Sequence, residues 1–275
     1  VKQFELNDGS YVSTNESFAT LDNEPTAIAV DISNGKNCLY YAYKTSSTNE
    51  CFIEKYKPGT PSVVTKIEDA GTTITALAAN KDGLFAAIKN VDNANTYTLA
   101  IKKYKKENGD FSGSVNVVEN EPSATPPAGG LHDEYNSAIN ALQIKGGSLY
   151  GIMSKEKRTE RSGVGMCDFN NGSTLYCFGR TDKSFSESEL INKSYNTTDK
   201  VGYGFYRFIA VQENKLVIAS DGAAWLGQDS PPTAKNCNKV FVYEYEEDKK
   251  ITTESNSACK LSKELDIAGT SLQWE

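Results

Sequence analysis

Thr26-Ala-Ile-Ala-Val-Asp31 recurs along the chain as Thr75-Ala-Leu-Ala-Ala-Asn80, Asn140-Ala-Leu-Gln-Ile-Lys145, Arg207-Phe-Ile-Ala-Val-Gln212 and Thr270-Ser-Leu-Gln-Trp-Glu275. Aligned on Ile28, Leu77, Leu142, Ile209 and Leu272, the copies stand 49, 65, 67 and 63 residues apart. Each is small or apolar through its middle, as a strand walled in on both faces should be. The first four run into Asn34-Gly35, Lys81-Asp82-Gly83, Gly146-Gly147 or Glu213-Asn214-Lys215. Such residues accept the positive φ of two-residue hairpin turns.

A second strand is expected after each turn, at Cys38–Tyr43, Leu84–Ile88, Leu149–Met153 and Leu216–Ala219. A third, more amphipathic one follows at Cys51–Tyr56, Tyr97–Tyr104, Thr174–Phe178 and Val240–Tyr245. A polar turn such as Pro58-Gly59 or Asn108-Gly109 then leads to a weaker fourth strand. No stretch sustains a 3.6-residue period with caps, so the chain reads as all-β.

Four strands graded from apolar to polar, repeating every 50–65 residues or so, are the pattern of a β-propeller blade. The reading is a single five-bladed β-propeller over 1–275, with blades at 26–67, 73–119, 138–191, 206–258, and 264–275 plus 1–14. The fifth would join the C-terminal inner strand to an N-terminal hairpin, Gln3–Leu6 and Tyr11–Ser13 around Asp8-Gly9. Strands from both termini would close the ring and remove its open edges. The alternative is a β-sandwich or two stacked β domains.

Composition narrows the function. The 275 residues carry 36 acids against 29 bases, a net charge of -7. A chain of that sign has no general attraction for phosphate backbones or anionic lipid, so nucleic acid is not an expected partner. One histidine, His132, excludes sites that need two, and four arginines leave little for clustered carboxylate or phosphate forks. No run of 18 apolar residues marks a transmembrane segment. The start at Val1, without initiator Met or signal peptide, reads as a mature or trimmed chain.

Six cysteines, with no C-x-x-C pair, favour disulfides over a metal site or six buried thiols, and hence an extracytoplasmic setting. Cys167 and Cys177 flank Asn171-Gly172 and should face each other across a hairpin. Cys237–Cys259 is the second expected pair, leaving Cys38–Cys51 by elimination. That last pair strains the scheme, because the two begin adjacent strands at opposite ends, about 20 Å apart. Sequons at Asn15, Asn171, Asn192 and Asn196 are compatible with glycosylation.

Long connections concentrate on one expected face: 120–137, 154–173, 192–205 and 220–238. Long loops in a compact domain are commonly functional. The candidate ligand-binding residues there are Tyr135, Tyr203, Tyr206, Asp221 and Trp225, since aromatics beside carboxylates supply stacking area and hydrogen-bond partners. The competing reading has these aromatics filling the core. Ser220–Trp225 departs from a sialidase Asp-box because Asp221 and Gly222 are adjacent. Asp168–Gly172 lacks the bidentate Glu of a calcium loop and reads as a hairpin turn. His132 sits in a Pro/Gly-rich context with no nucleophile elbow near it. The polar residues that end the inner strands, Asp31, Asn80, Lys145, Gln212 and Glu275, are of mixed sign, which disfavours a metal.

Tyr206–Gly222, followed by a polar loop and Lys239-Val-Phe-Val-Tyr-Glu-Tyr245, resembles the propeller repeats of spirochaete surface lipoproteins. The resemblance implies a tethered binding or adhesion module and carries over no catalytic residue. The functional expectation is therefore a non-enzymatic, monomeric, extracytoplasmic module that needs no cofactor and binds a protein or glycan through its loop-rich face. The alternative is a glycan-active hydrolase or lyase using Asp31, Asp221 or Glu134, which requires paired carboxylates about 5–10 Å apart.

Overall fold

The computed structural model describes residues 23–31, 38–56, 62–67, 71–91, 96–122, 131–161, 165–183, 193–196, 205–212, 215–221, 223–226, 233–236, 239–245 and 259–266. Among these residues every regular element is a strand, and all the strand pairs are antiparallel. Sheet one is β1 (Pro25–Asp31), β2 (Cys38–Lys44), β3 (Cys51–Lys55) and β4 (Ser62–Ile67), paired in chain order. Sheet two is β5 (Thr72–Asn80), β6 (Gly83–Val91), β7 (Thr96–Tyr104) and β8 (Phe111–Pro122). Sheet three contains β9 (Leu131–Lys145), β10 (Ser148–Arg161), β11 (Gly165–Arg180) and β12 (Lys193–Asn196). Sheet four is β13 (Phe205–Gln212), β14 (Lys215–Asp221), β17 (Lys239–Tyr245) and β18 (Cys259–Asp266), and a separate hairpin, β15 (Ala223–Leu226) with β16 (Thr233–Asn236), lies between β14 and β17 in the chain.

The turn chemistry does what its residues dictate. Lys145 pairs with Ser148, so Gly146 and Gly147 form a two-residue loop, and both have the positive φ that a side chain would resist. Asn80 pairs with Gly83 around Lys81-Asp82 in the same way. Between β7 and β8, Gly109 has φ +73°, and a Cβ there would stand 1.6 Å from the Val64 carbonyl oxygen. That turn of sheet two is therefore pressed against β4 of sheet one.

Alternation along the strands stacks the sheets. One face of sheet two, Ile74, Leu84, Ala86 and Ile88, packs on Tyr40, Ala42, Cys51 and Ile53 of sheet one. The other face, Phe85, Ala87, Leu99 and Ile101, packs on Ile139, Leu142, Leu149, Met153 and Phe178 of sheet three. Sheet two is thus buried on both sides, and each large apolar side chain so placed contributes about 1.5–3 kcal/mol. Sheet three presents Tyr150 and Ile152, also buried, on its opposite face, and β13 packs against β9, β10 and β11. Sheet one has a second buried face as well: Leu39, Tyr41 and Tyr43 belong to neither core cluster, yet are at most 6% exposed. On that face the buried Glu54 carboxylate accepts hydrogen bonds from the hydroxyls of Tyr41 and Tyr43.

Several expected boundaries and loops are corrected. The connections expected at 120–137 and 154–173 are largely strand: β9 opens at Leu131, and β10 and β11 run together from Ser148↔Arg180 out to Arg161↔Gly165. Asn171-Gly172 is no turn, since Asn171 pairs with Glu156 and Gly172 with Lys155. The fourth strands of sheets three and four lie at 193–196 and 259–266, beyond the expected limits of 191 and 258, so Cys259 opens a strand and 264–266 belong to sheet four. The segment 220–238 contains the β15–β16 hairpin. The inner strand β1 is not walled in on both faces, for Ile28 and Val30 are 43% and 52% exposed while Ala29 and Asp31 are buried. The expected N-terminal hairpin at 3–13 and inner strand at 270–275 lie outside the described residues.

Candidate functional site

The strands that lead sheets one to three come together. β1 packs against β5, β5 against β9, and β9 against β13. Between the first three lies a cavity of about 420 Å³, lined by Ile28–Asp31, Leu77–Asn80 and Leu142–Ile144. These are equivalent positions of the first three similar segments of the sequence. The lining is aliphatic apart from Asp31, Asn80 and Gln143.

Its polar groups are held from behind. Asp31 Oδ2 accepts from Lys106 Nζ at 2.5 Å, and Lys106 comes from the β7–β8 turn of sheet two. The Asn80 side chain accepts from the Asp82 amide at 2.9 Å and donates to Thr181 Oγ1 at 2.9 Å. Thr181, fully buried after β11, also donates to Asp82 Oδ2 at 2.7 Å, and its amide reaches the Gly147 carbonyl at 2.8 Å. Lys103 of β7 completes this clamp between sheets two and three, donating to the Thr181 carbonyl at 2.8 Å beside the Phe85 ring. Among the described residues, Gln143 makes one long bond, 3.4 Å, to the Ile144 carbonyl. Close to this end, burial pushes the Tyr40 hydroxyl up to about 12, helped by the negative charge of Cys38, Asp31 and Glu107.

Composition alone gave no reason to single out Lys106, Thr181 or Lys103. Their signal is a tertiary one, a polar turn residue that reaches a neighbouring sheet. Of the inner-strand ends, Asp31 and Asn80 line the cavity and Lys145 follows its last lining residue, while Glu275 lies outside the described residues.

The sequence-predicted candidates occupy other positions. Tyr135 stands on β9 at the register of Lys157, in the three-stranded arm made by the first half of β9, the second half of β10 and the first half of β11. Tyr206 pairs with Ser220, and Asp221 with Phe205, so these two candidates share one end of the β13–β14 ladder. Trp225 lies on β15 opposite Ala234, and β15 packs against β11. Tyr203 is outside the described residues. Of the hydrolase candidates, Glu134 pairs with Arg158 in the arm, at the other end of β9 from the cavity. Among the described residues the cavity lining carries one carboxylate, Asp31. No group of three or more His, Cys, Asp or Glu suited to a metal occurs among the described residues, and no described helix is long and apolar enough to cross a membrane.

The cysteine scheme is also corrected. Cys38 and Cys51 are free thiols at opposite ends of the β2–β3 ladder, and buried Cys51 donates to the Thr72 carbonyl at 3.2 Å. Cys167 and Cys177 lie on one strand, β11, ten residues apart. Extended chain of that length measures about 33 Å, whereas a disulfide needs Cα atoms within about 7 Å. The hairpin on which that pairing rested does not exist. Cys237 is outside the described residues.

The chain matches no family model and no curated protein. Among solved structures it is similar to hydrazine synthase of Kuenenia stuttgartiensis, at 12% identity and a TM-score of 0.36. That match covers 80% of this chain and 64% of the other, less than two thirds of its length. A likeness so slight carries neither fold nor function.

Proposed function

We propose that the four sheets are blades of a five-bladed β-propeller and that the ring is a non-enzymatic, extracytoplasmic binding module for a protein or glycan. The contact end is that of the β9–β11 arm, the loop-rich end of the sequence reading. Three features support the ring. Its sheets are four-stranded meanders, their leading strands meet in chain order, and sheet one has a buried second face that calls for another layer. The strands expected within 1–14 and 267–275 are the proposed fifth blade. The extracytoplasmic setting rests on the sequons and the lipoprotein resemblance, because the cysteine argument has lost its support at four of six positions.

One observation carries the recognition reading. Tyr135, Tyr206, Asp221 and Trp225, scattered over 91 residues of sequence, stand on elements that touch, β9 with β13 and β11 with β15. Aromatics with a nearby carboxylate suit a glycan or a protein hot spot. The hydrolase alternative is disfavoured because Asp31 is already committed to Lys106, leaving the cavity no free acid–base pair among the described residues.

Glycan and protein arrays probed with the whole chain, each captured glycan then assayed for cleavage, test this reading. Capture without cleavage, reduced about tenfold or more by Y206A or W225A, is the expected result, a loss of ~1.4 kcal/mol or more. Release of cleaved sugar, or no capture above background, would overturn it.

A further inference from the structure

Two side chains at the start of sheet two each bury an oxygen that bonds to nothing. Thr72 Oγ1 and Asn90 Oδ1 are shut off from solvent, and neither has a hydrogen-bond partner among the described residues. Thr72 as a whole is 1% exposed. We propose that the two oxygens form a binding site for one buried water molecule, which bridges them and closes the start of the β5–β6 ladder.

The backbone brings the two together. Thr72 pairs with Asn90, and one step further out the Val91 amide donates to the Gly71 carbonyl at 3.3 Å. Gly71 and Val91 are thus a hydrogen-bonded pair, and Thr72 and Asn90 form the next, non-hydrogen-bonded one. Side chains stand closest in such pairs, with Cβ atoms about 4.5–5.5 Å apart. Thr72 and Asn90 are two residues from Ile74 and Ile88, on the face that sheet two packs against sheet one. From that side Cys51 donates to the Thr72 carbonyl at 3.2 Å. Thr98 pairs with Asn90 across β6 and β7, so a third, half-buried polar residue continues the row. A threonine hydroxyl can donate to a carboxamide oxygen, yet no direct bond joins Thr72 to Asn90. Two buried oxygens left unpaired are costly, and a group that bridges them removes the cost.

The donor set selects the occupant. Asn90 Oδ1 can only accept, so the bridging group must donate to it, whereas the Thr72 hydroxyl can do either. An anion such as chloride could accept from Thr72 but would face the carboxamide oxygen with no donor there. A calcium ion takes about six to eight oxygens, carboxylates among them, and this row offers only neutral ones. Lys44, at the register of Cys51, adds a positive charge on the same side, close enough to oppose the burial that raises the Cys51 thiol. Water is neutral, donates twice and accepts as well. Buried waters make about three hydrogen bonds, and Thr72 and Asn90 supply two, with the Thr98 hydroxyl the candidate for the third.

Thr72→Val keeps the shape and removes the hydroxyl, and the sign of its effect decides. Two oxygens that are simply unpaired make T72V as stable as the native chain or more so, because deleting one relieves a penalty. A bridged pair predicts the opposite. Urea denaturation of the whole chain should then show the T72V unfolding constant raised about tenfold, since the bridge loses one of its anchors. T72V/N90L, apolar at both positions, should recover most of that loss. A crystal structure of the native chain should show one water within hydrogen-bond distance of Thr72 Oγ1 and Asn90 Oδ1, kept in T72S and gone from T72V. An undiminished T72V, native crystals with no water between the two oxygens, or an Asn90 carboxamide turned to bond Thr72 directly would overturn the proposal.

Discussion

Lys106 Nζ lies 2.5 Å from Asp31 Oδ2, and the two side chains are only 9% and 6% exposed. The lysine belongs to the last turn of sheet two and the aspartate ends the first strand of sheet one, so the pair is a strut between sheets. A buried ion pair adds little net stability over an apolar pair, but half of one is costly. Lys106→Met should therefore lower unfolding stability by about 3 kcal/mol, and Asp31→Asn added to it should restore much of the loss. Urea denaturation of the single and double variants measures both, and an unchanged K106M would show that the strut carries no load.

Thr181 ties sheet three to sheet two through its hydroxyl, which bonds Asp82 and Asn80, and its carbonyl, which accepts from Lys103 Nζ, with no exposure to solvent. Thr181→Val keeps the shape and removes the hydroxyl, leaving Asp82 and Asn80 short of a partner. A loss of about 1–3 kcal/mol is expected, read as a shift of the denaturation midpoint at constant slope.

Tyr40 sets an alkaline limit. Its hydroxyl is held at about 12 in the folded chain against ~10 when unfolded, so the fold favours the protonated form. Stability from this source is complete below pH 10 and is lost as pH rises from 10 towards 12. Denaturation midpoints measured from pH 9 to 11.5 should fall more steeply for the native chain than for Tyr40→Phe. Parallel profiles would remove Tyr40 as the cause.

Burial also raises the Cys51 thiol, which keeps it protonated and unreactive, while Cys38 is part exposed. Iodoacetamide labelling of the native chain at pH 8 should modify Cys38 first and Cys51 only on unfolding. Peptide mapping should find neither in a disulfide, and Cys167 unpaired with Cys177.

Much of the fold was legible wherever a buried face left its mark. Ala76-Leu77-Ala78 and Leu84-Phe85-Ala86 are small and apolar because sheet two is enclosed on both sides, and Gly146-Gly147 fixes its turn by backbone freedom alone. The arm was not legible. Ser154–Arg161 is Ser-Lys-Glu-Lys-Arg-Thr-Glu-Arg, which has no apolar alternation, so it read as loop although its backbone is paired on both sides. The cysteine error follows from it, because Asn171-Gly172 has the composition of a turn but sits inside a ladder. The cavity was half legible. The similar segments located its wall, whereas the Lys106 strut that pairs with Asp31 comes from a residue 75 positions away.

The closed ring is tested most directly at the second face of sheet one. Tyr40 faces sheet two, while Tyr41 and Tyr43 are buried on the opposite face of sheet one, where the proposed fifth blade would pack. Tyrosine nitration mapped by mass spectrometry, on the whole chain and on a chain cut to 15–266, separates the two faces. A fifth blade predicts that Tyr41 and Tyr43 are protected in the whole chain and modified in the shortened one, with Tyr40 and Tyr104 protected in both. Continued protection of Tyr41 and Tyr43 in the shortened chain would contradict ring closure by the terminal strands.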